Sequence, residues 1–236
     1  DQVEALMSTY RPDSEVSRFN AWREEAPFPI SEDVYKVLVH AQAISDESKG
    51  AFDITVGPAV RRWGFGPDPR IGPPNPQEIH TLRSQIGYTR LKLSPKRLLV
   101  KKHQSLEIDL SAIAKGYAVD QVSLQLEKKG YLHHMVEVGG EMRLRGKKAA
   151  KSPWRIGIEN PNPETNQVLK PLVLTDISVA TSGSYRNSYV VGDRSYSHTI
   201  DPRTAMPITH RLISATVFHP NCAAADAYAT ALMVMG

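Results

Sequence analysis

The sequence predicts an α+β fold, largely antiparallel sheet with several long helices, on three observations. Short strand-like runs follow one another across tight turns, a few stretches of 3.6-residue periodicity interrupt them, and strands and helices do not alternate one for one. A doubly wound parallel sheet needs that alternation. The chain begins "DQVEALMSTY", which reads as the end of a helix. Helices are expected at 31–48, with Ser31 as N-cap, and at 76–86, with Pro76 first and Gly87 as the stop. Two more are expected at 111–129, capped by Ser111 and closed by Gly130, and at 223–235. Strands are expected at 89–93, 97–102, 106–110, 134–139, 142–146, 154–159, 171–175, 178–181, 188–192, 195–200 and 213–219. "VVGDRSY" reads as a hairpin turning at Gly192-Asp193. The Pro-rich stretch 66–77 is a loop, either a domain boundary or a surface excursion.

A chain of 236 residues with 41% hydrophobic and 23% charged residues is globular rather than disordered or fibrous, and long enough for a sizeable core. Its net charge of +4 suits an anionic ligand. It does not argue for nucleic acid, because no dense Lys/Arg stripe is interleaved with aromatics. The basic runs at 144–151 and 100–103 read as solvated charges. Cys222 is the one cysteine, so no intrachain disulfide exists, and it reads as a small buried hydrophobe rather than a nucleophile. No stretch reaches the length of a membrane span, and there is no signal peptide or initiator Met.

Five stretches could carry chemistry. In "EIDLSAIAKGYAVD" (107–120) a strand would end at Asp109 and a helix start at Ser111, with Lys115 in its first two turns. Helix N-termini attract anions, and a lysine there adds a point charge for phosphate, yet no Walker A pattern is present. "VEVGGEMRLRG" (136–146) places Gly139-Gly140 between two strands, as a hairpin turn or a close approach to a ligand. "SVATSGSYRN" (178–187) offers hydroxyls on Thr181, Ser182 and Ser184, without a base or a serine-hydrolase elbow. "YSHTIDPRTAMP" (196–207) places His198 near a strand end. In "NCAAADAYATALMVMG" (221–236), Asp226, Ala229 and Thr230 share one helix face. A carboxylate, a carbonyl and a hydroxyl are hard donors suited to Mg²⁺, whereas no Cys/His cluster exists for zinc. Taken singly, each stretch also has a plain structural reading: a capped helix, a hairpin, a structural histidine, a threonine bonded back to its own helix.

Together and in this order the pieces resemble the ApbE family of FAD:protein FMN transferases. The matching stretches are 7–20, 50–67, 109–120, "VEVGGEMRLRG", 154–161, 181–187, 197–207 and 224–236, nearly the whole chain. The resemblance implies one ApbE-like domain over 1–236, of the T-fold-related architecture. It also implies that the extreme N- and C-terminal family segments are lacking, among them a Met-Gly-Thr stretch at the flavin site. The implied activity is Mg²⁺-dependent transfer of FMN from FAD to a threonine hydroxyl of a target protein, with release of AMP. Carried over by residue, FAD contacts fall at Tyr10, at Ala51, Phe52 and Asp53, at Asp109, at Lys115 and at Ile200. Mg²⁺ is held through the Ala112 carbonyl, Asp226, Ala229 and Thr230. Lys115 and the Mg²⁺ held by Asp226 neutralise the pyrophosphate as charge builds on the leaving phosphate, and His198 orients or deprotonates the incoming threonine.

The implied acceptors carry D-x-x-T-[SG]-A, as in subunits of Na⁺-translocating NADH:quinone reductase or Rnf-type complexes. The implied location is the periplasmic side of the inner membrane, with a lipid anchor, although neither signal peptide nor lipobox cysteine is in this sequence. The chain's own "DISVATSG" spaces Asp176 and Thr181 too widely for that motif, so self-flavinylation is not expected. Two alternatives use the same residues. One is a Mg²⁺-dependent FAD pyrophosphatase giving FMN and AMP, and the other is a non-catalytic FAD-binding protein.

Overall fold

A computed structural model describes residues 2–24, 26–66, 72–148, 151–161, 167–185 and 187–236. Residues 67–71 of the Pro-rich loop and 149–150 of the basic run lie outside them. The first half is helix-rich: α1 (Gln2–Met7), α2 (Glu15–Ala21), α3 (Glu32–Glu47), α4 (Gly57–Arg62) and α5 (Pro76–Gln85) surround a small antiparallel sheet. That sheet has the order β1 (Phe28–Pro29), β3 (Leu98–Lys101), β2 (Leu91–Ser94). The second half packs α6 (Ala114–Lys128) and α7 (Cys222–Met235) with a four-stranded antiparallel sheet. Its order is β13 (Ser214–His219), β8 (Ile177–Gly183), β5 (Glu141–Arg145), β4 (His134–Val138). Three two-stranded antiparallel pairs complete the described fold. They are β6 (Trp154–Glu159) with β7 (Val168–Leu174), β9 (Ser188–Val191) with β10 (Arg194–Ser197), and β11 (Ile200–Asp201) with β12 (Met206–Pro207).

The expected helix signals mostly act as written. Ser31 Oγ accepts the Val34 N–H and starts α3, whose Val34, Val37, Leu38, Ala41 and Ile44 line its buried face. Asn75 and Glu78 form a reciprocal capping box that starts α5, with Pro76 at its first position. Val191 faces Arg194, so the hairpin turns at Gly192-Asp193 as expected.

Three expectations fail. Ser111 does not cap α6, which starts at Ala114 after Ile113 with no side-chain cap. Both the Ser111 N–H and its hydroxyl donate to Asp109 Oδ1, at 2.9 and 2.5 Å, so the hydroxyl closes a turn before the helix begins. Residues 106–110 form no strand. Leu106, Ile108 and Leu110 do alternate into the core, but their backbone meets side chains and loops instead of a ladder. The Asn20 amide bonds both the N–H and the C=O of Ile108, each at 2.8 Å, and the Asp109 N–H donates to Ile54 O. The 195–200 run is also interrupted, ending as strand at Ser197 and resuming at Ile200.

α7 organises the site. It is apolar almost all round and buried, packing on α6, α3, β8 and β13. Its start is fixed by Asn221, whose side chain accepts the Ala224 N–H, and by Asp120 of α6. Asp120 accepts the Ala223 N–H at 3.0 Å and pairs with Arg143 of β5 at 2.5 Å, which ties α6, α7 and β5 together. The helices approach so closely at Gly116 that a Cβ there would lie 2.4 Å from the Cys222 carbonyl oxygen. A second cluster forms around Trp63, Leu82, Ile86 and Ile200, where the Trp63 indole N–H donates to Ala205 O at 2.8 Å.

Candidate active site

A cavity of about 580 Å³ opens between α7, the start of α6, the β5–β8–β13 sheet and the 51–54 segment. That is within the ordinary range for a small-molecule site. Tyr10, Ala51, Phe52, Asp53, Asp109, Ala112, Lys115, His198, Ile200, Asp226 and Thr230 all line it. Ala229 does not; it lies buried inside α7. Residues far apart in sequence thus reach one space, each from a defined element.

Asp226 is 5% exposed. Its Oδ2 accepts the Gly116 N–H at 3.1 Å, and among the described residues no hydrogen bond occupies Oδ1. Burial pushes its carboxyl up to about 7, with Lys115 pulling down, Glu141 pushing up and the Gly116 N–H pulling down. One turn on, the Thr230 hydroxyl makes no hydrogen bond among the described residues. Elsewhere Thr81 and Ser45 bond back to the carbonyl four residues earlier, so the plain structural reading of Thr230 fails.

A third open oxygen comes from the backbone. The Ala112 carbonyl precedes α6, which starts at Ala114, and among the described residues nothing donates to it. The Gly116 N–H, in the first turn of α6 where the helix itself supplies no acceptor, goes to Asp226. The Ala112 carbonyl, Asp226 Oδ1 and Thr230 Oγ1 therefore stand open in one cavity. They are hard oxygen donors of the kind Mg²⁺ takes, about six at roughly 2.1 Å, several of them from phosphate and water. The residues present fit that ion. Among the described residues no three of His, Cys, Asp and Glu gather as a metal cluster, which disfavours zinc chemistry.

Lys115 Nζ pairs with Glu141 Oε1 at 2.5 Å. Glu141 is 2% exposed, and burial pushes its carboxyl up against the pull of Lys115. Sequence reasoning missed it; the one signal is an acid directly after Gly139-Gly140 in a strand pattern. Gly139 and Gly140 both hold positive φ, as a two-residue turn between β4 and β5 needs. Phe65 and the β6 residues Ile156 and Ile158 also line the cavity and were not foreseen.

His198 lies at the cavity wall in a T-shaped contact with Phe65. Its Nδ1 is 3.1 Å from the Asn187 carbonyl, which can only accept, so Nδ1 carries the proton and Nε2 keeps its lone pair. Burial pushes the imidazole below its ordinary range, the Asn187 bond opposes that, and the Lys115 charge adds to it. The Asp53 carboxylate turns to its own backbone: Oδ1 accepts the Thr55 N–H and hydroxyl, and Oδ2 the Tyr88 N–H. Asp53 therefore shapes the wall at Ala51-Phe52 and has little acceptor capacity left for a ligand. Tyr10 is 63% exposed at the rim, free to lie against a flat ring. Cys222 is fully buried beside Asp120, Asp226 and Glu141, and burial pushes its thiol up, which leaves it inert.

The ApbE family model matches residues 1–236. The chain belongs to the ApbE family. It is 42% identical over 237 residues to the FAD:protein FMN transferase of Vibrio cholerae, covering all of this chain and 71% of the relative. It is 37% identical over 240 residues to that of Escherichia coli K12, covering all of this chain and 68% of the relative. Among solved structures, the flavin transferase ApbE from Vibrio cholerae superposes with a TM-score of 0.90 over all of this chain and 75% of the other. The ApbE protein from Thermotoga maritima, 30% identical, gives 0.90 over 99% of this chain and 75% of the other. The α+β fold with antiparallel sheets is thus the family's own, and this member is an enzyme. Among the described residues no helix is long and apolar enough to cross a membrane.

Proposed function

We propose that this chain transfers FMN from FAD to a threonine hydroxyl of a target protein with Mg²⁺, releasing AMP. The transferase chemistry comes with the relatives, each an FAD:protein FMN transferase. The observation that carries the finer reading is the set of three open oxygens, from Ala112, Asp226 and Thr230, in one cavity with Lys115 and the free Nε2 of His198.

Each residue has work that its position allows. Tyr10 covers a planar ring at the rim, and Ala51, Phe52 and Ile200 form an apolar wall whose backbone Asp53 fixes. Asp109 Oδ2 is free to accept a base N–H or ribose O–H, Oδ1 being held by Ser111. The Ala112 carbonyl, Asp226 and Thr230 would hold the ion, with Ala229 behind them in α7. When bound, it neutralises pyrophosphate charge as AMP departs. Lys115 supplies a second positive charge at the same phosphates. His198 Nε2 takes the proton from the threonine hydroxyl. The threonine oxygen bonds to the FMN-side phosphorus, and the bond from that phosphorus to the bridging oxygen breaks, leaving with AMP.

The acceptor in this reading carries D-x-x-T-[SG]-A, as subunits of Na⁺-translocating NADH:quinone reductase or Rnf-type complexes do. The chain works as one ApbE-like domain on the periplasmic side of the inner membrane, with the lipid anchor belonging to the full-length protein. The test is mass spectrometry of such an acceptor incubated with FAD, Mg²⁺ and the enzyme. An FMN phosphoester on the motif threonine, lost with chelator and in Asp226→Ala, is expected. Free FMN beside unmodified acceptor overturns the transfer, and full labelling by Asp226→Ala overturns the metal assignment.

A further inference from the structure

Glu141 is deeper than a carboxylate serving only as a surface partner for lysine. Its side chain is 3% exposed while that of Lys115 is 45% exposed, so the acid lies in the wall and the ammonium faces the cavity. Oε1 holds Lys115, and Oε2 is buried with no hydrogen-bond partner. A purely structural buried pair is expected to have its remaining lone pairs satisfied. The Gly139-Gly140 turn closes over the pair: a Cβ at Gly139 would lie 3.5 Å from Lys115 Cδ and 3.6 Å from Glu141 Oε2. Asp226 is close enough to feel both charges. At this end of the cavity two carboxylates, Glu141 and Asp226, therefore lie beside the Lys115 ammonium, and that ammonium is already engaged.

A dinucleotide's pyrophosphate meets a repulsive floor there. The order reverses only when a divalent cation joins the open oxygens of Ala112, Asp226 and Thr230. Lys115, on a flexible four-carbon stem, is then able to leave Glu141 for phosphate. We propose that Glu141 is a positioning residue that makes dinucleotide binding wait for the metal, by holding the Lys115 ammonium until the cation has reversed the charge of the site. This rests on the metal and FAD reading above. It adds a function for a residue that touches neither the ion nor the reacting atoms: it suppresses metal-free occupancy and keeps the site from filling with an unreactive complex.

The experiment is a titration of FAD into the protein, followed by flavin fluorescence, once with chelator and once with saturating Mg²⁺. In Glu141→Gln the metal-free affinity for FAD tightens about tenfold, equivalent to about 1.4 kcal/mol. With Mg²⁺ it stays within about threefold of wild type, so the metal dependence of binding shrinks. Glu141→Asp withdraws the carboxylate by one methylene and moves the same way by less, which covers the case in which Glu141→Gln does not fold. Adding Lys115→Ala to Glu141→Gln abolishes the gain, because the gain travels through the freed ammonium. Metal-free affinity that is unchanged or weaker in the folded variants overturns the proposal while leaving the transferase reading intact. Wild-type protein that binds no FAD with saturating Mg²⁺ overturns the parent reading, and this one with it.

Discussion

Gly116→Ala tests whether the α6–α7 contact builds the site. An added Cβ would lie 2.4 Å from the Cys222 carbonyl oxygen, 2.6 Å from its carbon and 2.7 Å from Ala223 Cα. All three are backbone atoms, so no rotamer change relieves the clash. α7 must retreat by roughly 1 Å to reach ordinary contact, an overpacking that costs about 1–3 kcal/mol. The same retreat stretches the 3.1 Å bond from Gly116 N–H to Asp226 beyond hydrogen-bond range, a loss of about 1.5–3 kcal/mol for a charged acceptor. Better helix propensity of alanine returns about 1 kcal/mol. The expected net is about 1.5–5 kcal/mol, which for a chain of this length lowers the melting temperature by roughly 3–20 °C. The retreat also carries Asp226 and Thr230 of α7 away from the Ala112 carbonyl, which spreads the three open oxygens. Scanning calorimetry with and without Mg²⁺ reads both effects: a lower melting temperature, and a smaller rise on adding Mg²⁺. A variant melting at or above wild type, with the full Mg²⁺ response, would refute this account of the contact.

Two further outcomes separate function from scaffold. Thr230→Val replaces a hydroxyl that has no hydrogen-bond partner among the described residues by a methyl of similar shape, so urea denaturation should shift by less than about 0.5 kcal/mol. The Mg²⁺ needed for half-maximal labelling should rise about tenfold; an unchanged requirement removes Thr230 from the ligand set. The pH dependence follows from His198. A general base works unprotonated, and burial lowers the imidazole from its ordinary 6.5, so the working form persists into more acid solution. With FAD and Mg²⁺ saturating, the acid limb of the transfer rate should fall below pH 6.5; a limb at or above that value shows that another group, or a His198 in a different environment, limits the reaction.

Much of the fold is written locally. Ser31 acts through a bond spanning three residues and Pro76 through its own fixed φ, so the spacing that shows them also makes them work; the Asn75–Glu78 capping box is equally local. Ser111 has the right identity for a cap, but Asp109, two residues earlier, captures both its donors. Residues 106–110 carry a strand's alternation because alternate side chains do enter the core. Whether their backbone finds a ladder depends on Asn20 and Ile54, which lie far away in sequence. Glu141 was equally hidden, since an acid after a glycine turn is ordinary until Lys115 arrives from another helix.

The site divides along the same line. Asp226 and Thr230 are legible because both belong to one helix and the i, i+4 rule fixes their common face. The third oxygen, the Ala112 carbonyl, enters through the family resemblance and not through spacing, because it lies before α6 and its freedom depends on tertiary contacts. Gly116 lets α7 approach, and Asp226 accepts the Gly116 N–H that the first turn of α6 leaves without an intrahelical partner, while among the described residues nothing donates to the Ala112 carbonyl. The carboxylate thus does two jobs with two oxygens: one caps the start of α6, and the other faces the cavity beside it. Replacing Asp226 removes more than one ligand oxygen, since the start of α6 beside the Ala112 carbonyl loses its tie to α7. It follows that Asp226→Asn, which keeps an oxygen able to accept from Gly116, should leave more of the metal response than Asp226→Ala does. A site with independent ligands would not distinguish the two by that route.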